Sequence, residues 1–261
     1  MFHTELGITN EVFSSDVKNS IQLWSEIGIK SNTLIYLKGG AIRDSIINLH
    51  YQKDINISDL DMVVSDNLFR VVHAINSIGG KIEERGKRKK LPRYTISLPN
   101  VKHKADLSLL QSQTDLYNSA RSETEIVFND AQRSNYDVNT LYLCLNSGKF
   151  YDPLNAITSI NSRVMNLVSV KSLYSDPATI LDGPRIASKI KFNLSLKTRN
   201  IIRQHSGLIL KLQPSFLVKK LGEMLKHLSQ DELLTELEDL NVLNARPDII
   251  QIIGKFKYTY E

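Results

Sequence analysis

From Thr33 to about Leu110 the apolar residues fall into short runs, Leu34 to Leu37, Leu60 to Val64, Tyr94 to Leu98 and Ala105 to Leu110, separated by polar and turn-forming residues. Short apolar runs between breakers predict strands. Ile42, Ile46, Ile47 and Leu49 recur at helical spacing within Ala41 to Leu49, and Leu68, Val71, Val72 and Ile75 do so between Asn67 and Ile78. This half therefore reads as α/β. Upstream, Val17, Ile21, Leu23, Trp24 and Ile27 predict an amphipathic helix packed on it, with Tyr36 and Phe69 in the core. After about Asn135 the period becomes helical: Val138, Leu141, Tyr142 and Leu145 first, then Ile180 to Phe192, Thr198 to Leu212, Phe216 to Leu228 and Asp231 to Leu240. The second half is predicted to be mostly helix, with Pro153, Pro177, Pro184, Pro214 and Pro247 at helix starts or boundaries.

Composition narrows the class. A chain of 261 residues, 41% hydrophobic, is long enough for one or two domains with a real core. The single cysteine, Cys144, allows no internal disulfide and no cysteine-based zinc site, so a reducing compartment fits and the cytoplasm is expected. No apolar run approaches the roughly 18 residues that span a bilayer, and the first residues have neither the basic nor the apolar region of an export signal, so no membrane partner is expected. The net charge of +5 permits a polyanionic partner without requiring one. The six histidines show no ligand spacing.

The candidate chemistry begins at Lys38-Gly39-Gly40-Ala41-Ile42-Arg43-Asp44. A strand that breaks at two glycines before a helix leaves backbone N–H groups free at a helix N-terminus, a cradle for phosphate that Arg43 could supplement. The same glycines also suit an ordinary strand-to-helix turn. Ser58-Asp59-Leu60-Asp61 adds a second signal, because residues two apart on a strand share a face. Two adjacent carboxylates repel unless a cation lies between them, and such oxygen ligands suit Mg²⁺ completed by substrate phosphates. Asp54 and Asn56 are a near miss upstream, and the apolar run after Asp61 favours Asp59 and Asp61. Asp106 opens a further strand and could be a third acid of a two-metal phosphoryl-transfer layout, or a solvated strand end. Lys81, Arg85, Lys87, Arg88, Lys89, Lys90 and Arg93 form a basic segment between two strands, either a solvated turn or a clamp on phosphates.

Together these residues resemble the tRNA nucleotidyltransferase and bacterial poly(A) polymerase group, the class with a helical second half within the DNA polymerase β superfamily. A strand, Gly-Gly-x-Ile-Arg-Asp, a helix and Asp-x-Asp entering a strand carry the resemblance. Downstream, Arg133-Ser-Asn-Tyr-Asp-Val-Asn139 resembles Arg-Arg-Asp-Phe-Thr-Ile-Asn, and Tyr151-Asp152-Pro153 matches the Asp-Pro that follows it. Ser175-Asp176-Pro177-Ala-Thr179-Ile-Leu-Asp182-Gly-Pro-Arg185 resembles Glu-Asp-Pro-Leu-Arg-Ile-Leu-Arg-Ala-x-Arg. Pro214 to Pro247 looks like the short helical RNA-binding segment of that group, so the resemblance runs from about Leu34 to Pro247.

The resemblance implies an α/β polymerase β-like head with a small mixed sheet over residues 1–150, a helical neck over 151–200 and a short helical body over 201–261. It implies Mg²⁺ at Asp59 and Asp61, with Asp106 as a further catalytic acid, and a nucleotide site of Gly39, Gly40, Arg43, Asp44, Arg133, Asn135, Asn139, Asp176 and Arg185. Lys87, Arg88, Lys89 and Lys90 fall where the group has a mobile loop beside the active site, and are expected to bind RNA. The implied reaction adds a nucleotide from ATP or CTP to the 3′ end of an RNA, tRNA by analogy, and releases pyrophosphate. There are departures: Ser134 and Asn135 stand where the second Arg and the Asp are usual, and Ser175, Thr179 and Asp182 stand where Glu, Arg and Arg are usual. They leave two other readings open, a nucleotidyltransferase that modifies a protein or small molecule, and a catalytically weak RNA-binding relative.

Overall fold

The structure, a computed structural model, describes residues 10–88, 91–110 and 122–256. It divides into two compact units, Met1–Arg133 with Val138–Ile157, and Ser134–Asp137 with Thr158–Glu261.

The first unit carries, in chain order, α1 (Ser15–Ser31), β1 (Ile35–Lys38), α2 (Gly40–Tyr51), β2 (Asp59–Val64), α3 (Leu68–Ser77), β3 (Lys81–Arg88), β4 (Leu91–Ser97), β5 (Lys104–Leu109), α4 (Glu123–Ala131), β6 (Tyr142–Cys144) and β7 (Phe150–Tyr151). The strands form one mixed sheet in the order β3-β4-β5-β2-β1-β6-β7. Only β2 and β5 run parallel; the other neighbours are antiparallel. The central strands are buried on both faces, so β1 reads as a continuous apolar run rather than an alternation. On one face, Tyr36, Val63, Tyr142, Cys144 and Tyr151 pack with Leu110 and with Val127 and Ala131 of α4. Helices α1, α2 and α3 pack against β1, β2 and β3, and Trp24 of α1 is buried as its spacing predicts. β2 changes character along its length: Asp59 and Asp61 are exposed around a buried Leu60, and Met62 to Val64 are buried on both faces. The acids thus stand where the sheet emerges from its cover.

Among the described residues the second unit is helical apart from one short parallel pair and an antiparallel bridge between Tyr136 and Leu167. It holds α5 (Ala156–Ser162), which starts in the first unit, then β8 (Val164–Met165), α6 (Val170–Ser175), α7 (Thr179–Ile190), β9 (Asn193–Leu194) and α8 (Leu196–His205). A 3₁₀ turn over Ser206–Lys211 leads to α9 (Pro214–Met224), α10 (Gln230–Asp239), α11 (Val242–Ala245) and α12 (Asp248–Lys255). β8 pairs with β9. Pro214 opens α9 at its first turn, where a missing N–H costs nothing, and Ser229 with Glu232 closes a capping box on α10.

Five expectations are corrected. Pro184 is not at a helix boundary but inside α7. Val138 to Leu145 is not a helix but a 3₁₀ turn at Asp137–Asn139 followed by β6. Leu141 to Leu145 is buried on every side, and period alone does not separate such a run from a buried helix. Thr198 to Leu212 is broken at His205, where the α-helix passes into the 3₁₀ turn. Phe69 is 80% exposed, because α3 buries Leu68, Val71, Ala74 and Ile75 and a step of 100° puts Phe69 off that stripe. Residues 81–88 do not lie between strands but form β3, whose polar sequence hides the period-two signal. Lys89 and Lys90 lie outside the described residues.

Candidate active site

The sheet register assembles the site. Thr95 on β4 faces Asp106 on β5, Asp106 faces Asp61 on β2, Asp61 faces Lys38 on β1, and Lys38 faces Tyr142 on β6. Directly opposed residues put their side chains on the same face about 5 Å apart, so these five make one line across the sheet. Asp59, two residues before Asp61, lies on that face one step further out.

The three acids of this region are in different electrostatic states. Asp106 accepts hydrogen bonds from Arg85 at 3.0 Å and Thr95 at 3.1 Å, with Arg93 at 3.8 Å. Its charge is answered by guanidinium groups. Among the described residues Asp59 accepts only from the Ser58 hydroxyl at 3.2 Å, and Asp61 has no hydrogen bond or ion pair. Asp61 is exposed, yet protein crowds its carboxyl. That crowding, the largest influence, raises its carboxyl above the usual carboxylate range; Asp106 and Asp59 push the same way, while Lys38 and Arg93 pull it down. No group of three His, Cys, Asp or Glu side chains among the described residues is placed to hold a metal. The free pair Asp59 and Asp61 nevertheless fits a hard cation, because Mg²⁺ binds through one or two carboxylates and takes its remaining ligands from water and phosphate.

Beside this row the chain turns at Gly39, whose φ of 74° and ψ of −122° suit glycine alone; a Cβ there would also stand 3.4 Å from the Asn139 carbonyl. The Gly39 N–H donates to the Leu141 carbonyl at 2.9 Å, tying the end of β1 to the approach of β6. Helix α2 starts at Gly40, with its first N–H groups directed out of the helix. Arg43 and Asp44 are buried; the Arg43 guanidinium reaches Asp44 at 2.6 Å and donates to the Asn139 side chain at 2.5 Å. Within the described structure Arg43 clamps the start of α2 to residue 139. Arg133 is exposed. The basic candidates Lys87 and Arg88 pair with Pro92 and Leu91 at the far end of the β3–β4 hairpin.

The remaining sequence candidates belong to the second unit. The Asn135 carbonyl accepts from the Val168 N–H at 3.0 Å. Asp176 is half-buried after α6, and its carboxylate accepts from the Ala178 N–H at 3.3 Å. Arg185 is engaged by Asp182 at 3.0 Å and Glu223 at 3.5 Å, and Asp182 also binds Lys220 at 2.9 Å. Thr179 is fully buried, its hydroxyl without a partner, and the Tyr136 hydroxyl donates to its backbone carbonyl at 2.8 Å. A Cβ on Gly183 would collide with the Tyr136 hydroxyl, so glycine makes room for that ring.

Sequence reasoning missed the partners around Lys38. Lys38 binds Asp130 of α4 at 2.6 Å, the Tyr142 hydroxyl donates to the same carboxylate at 2.7 Å, and the ammonium lies 5.3 Å from the Tyr142 ring centre. A lysine ending an apolar strand was the one visible sign.

A mixed sheet with an Asp-x-Asp strand beside a Gly-Gly helix start, joined to a helical second unit, defines a nucleotidyltransferase-type head with helical continuation. Residues 35–166 match the family described as the Poly A polymerase head domain, about half of the chain, and the chain belongs to that family. It is similar to a CC-adding tRNA nucleotidyltransferase of Synechocystis sp., 23% identical over 64% of this chain and 36% of that protein. It is also similar to a CCA-adding enzyme of Lactobacillus helveticus, 20% identical over 86% of this chain and 55% of that one. The chain thus spans about a third to a half of the length of these curated relatives. Among solved structures, the Thermotoga maritima CCA-adding enzyme complexed with tRNA matches with a TM-score of 0.74 at 18% identity, over 90% of this chain and 53% of that one. A CCA-adding enzyme with ATP matches at 0.73 and 19%, over 94% and 55%. No helix among the described residues is long and apolar enough to cross a membrane.

Proposed function

We propose that the protein is a Mg²⁺-dependent nucleotidyltransferase that moves a nucleoside monophosphate from ATP or CTP to an RNA 3′ end, with tRNA as the acceptor class and pyrophosphate as the product. The carrying observation is the exposed pair Asp59 and Asp61, which no cation pairs among the described residues, beside a third acid held by arginine. The tRNA-directed relatives support the acceptor.

A divalent ion on these carboxylates would supply Lewis acidity toward the phosphate and the attacking hydroxyl. The protein's own part is positioning. Gly39 lets the chain turn so that the N–H groups at the start of α2 face the triphosphate, and Arg43, through Asp44 and Asn139, fixes that turn. Asp106 would hold Arg85, and Arg93 beside it, near the reacting phosphates, and exposed Arg133 would add a further cation. In the second unit Asp176 is the candidate for reading the base, since a carboxylate accepts from the exocyclic amine that ATP and CTP share. The basic stretch from Lys87 to Lys90 is the candidate RNA contact.

The test is incorporation of label from each NTP into total RNA, with and without Mg²⁺, by the wild type and by D59A and D61A. Label in RNA that needs metal and both acids supports the reading. Label in protein supports an alternative acceptor, and no label the weak RNA-binding relative.

A further inference from the structure

The line of side chains that holds the candidate metal site also contains a cation that the carboxylates do not require for their own pairing. Lys38 stands directly opposite Asp61 in the β1–β2 register, on the same face. It is fixed from the other side: Asp130, 2% exposed, holds the ammonium at 2.6 Å, Tyr142 holds Asp130 at 2.7 Å, and the Tyr142 ring lies against the charge. The Lys38 side chain is itself 24% exposed, so solvent reaches part of it. Three donors cannot all be spent on one carboxylate oxygen, and among the described residues the ammonium donates to Asp130 alone, which leaves donors for an anion.

We propose that Lys38 is a phosphate-binding residue which makes divalent-ion binding at Asp59 and Asp61 depend on the nucleotide. This rests on the reading of those two acids as the metal site. A bare cation bound there would lie beside a fixed ammonium, and the repulsion weakens it. A polyphosphate lying between the two cations screens them from one another and gains from both. Free metal is therefore disfavoured and the metal–triphosphate unit favoured, which keeps the site from filling before its substrate arrives. The ion pair with Asp130 supplies the rigidity this needs, since a free lysine would swing into solvent at little cost.

The test uses the double variant K38M/D130N, which removes both charges of the buried pair, so that neither is left buried and unpaired and the net charge is unchanged. Mn²⁺ alone is titrated by electron paramagnetic resonance, and inorganic triphosphate is then titrated in the presence of Mn²⁺. Relative to wild type, the variant should bind free Mn²⁺ about fivefold more tightly and triphosphate about fivefold more weakly, the order expected when the lost ammonium directly opposes Asp61 and the lost carboxylate stands beyond it. Opposite shifts are the signature, because damage to the fold would weaken both. The variant K38R, which keeps the charge, should leave free Mn²⁺ affinity at the wild-type value. Unchanged Mn²⁺ affinity in K38M/D130N, or weaker binding in both titrations, would overturn the proposal. D59A/D61A in the Lys38 background separates the two levels: Mn²⁺ binding that survives it removes the metal reading itself and this inference with it, whereas binding abolished there but unmoved by the Lys38 change removes only the inference.

Discussion

At the scale of single residues, the site depends on one backbone conformation and two free charges. Gly39 at φ 74° lies where a side chain is strained, and Gly39→Ala should lower stability by about 1–3 kcal/mol in denaturant melts and displace the start of α2, with transfer falling further than stability alone explains. The two-glycine turn was visible in the sequence because such turns are local. The role of Arg43 was not: the sequence shows a cation next to a phosphate cradle, and the structure buries it between Asp44 and Asn139, the latter 96 residues away. Asp59→Ala and Asp61→Ala should each abolish transfer while the metal-free protein keeps its thermal midpoint or gains slightly, since each change removes one member of a like-charge pair. A clear drop in midpoint would mean that these acids stabilise the fold instead. Of the two, Asp61 should gain more, because Asp106 crowds it as well.

At the scale of elements, the strands around residues 34–110 were legible because their apolar runs are short and bounded, whereas the lateral row was not. Register joins Thr95, Asp106, Asp61 and Lys38 across four strands, and nothing local in the chain states which strands are neighbours. The polar β3 and the fully buried β6 escaped for opposite reasons, one lacking an apolar face and the other lacking a polar one. Lys87 and Arg88 end the described part of β3, and the test of the basic stretch from Lys87 to Lys90 is the salt dependence of RNA binding. Neutralising Lys87, Arg88, Lys89 and Lys90 together should lower the log–log slope by about 0.7 for each single-strand phosphate that these cations neutralise, with little change in the thermal midpoint. Equal slopes in the two proteins would leave the stretch as a solvated surface.

For the whole molecule, membership of the Poly A polymerase head-domain family sets the class of chemistry, and under the proposed reading Asp176 and Thr179 of the second unit are the candidates for selectivity. Where the motif that this chain resembles has an arginine, this chain has Thr179, fully buried with an unpartnered hydroxyl, and Arg185 on the same helix is engaged by Asp182 and Glu223. Threonine lacks the fork of donors with which arginine meets a base edge, and a bidentate pairing of that kind is worth about 1–3 kcal/mol of discrimination by analogy with base readout in nucleic acids. Selectivity between ATP and CTP should accordingly be poor. Sequencing the 3′ ends of trimmed tRNA incubated with all four NTPs should show homopolymeric or short mixed extensions, and an ordered C-C-A end would show that another residue supplies the template. Transfer at the Asp59–Asp61 pair is the claim on which the rest stands. Its most direct test is to incubate wild-type protein with labelled ATP or CTP, total RNA and Mg²⁺, beside the D59A/D61A variant and a metal-free control. The expected result is label joined to RNA 3′ ends by the wild type alone and only with metal; label joined equally by the double variant, or joined to protein rather than RNA, would contradict it.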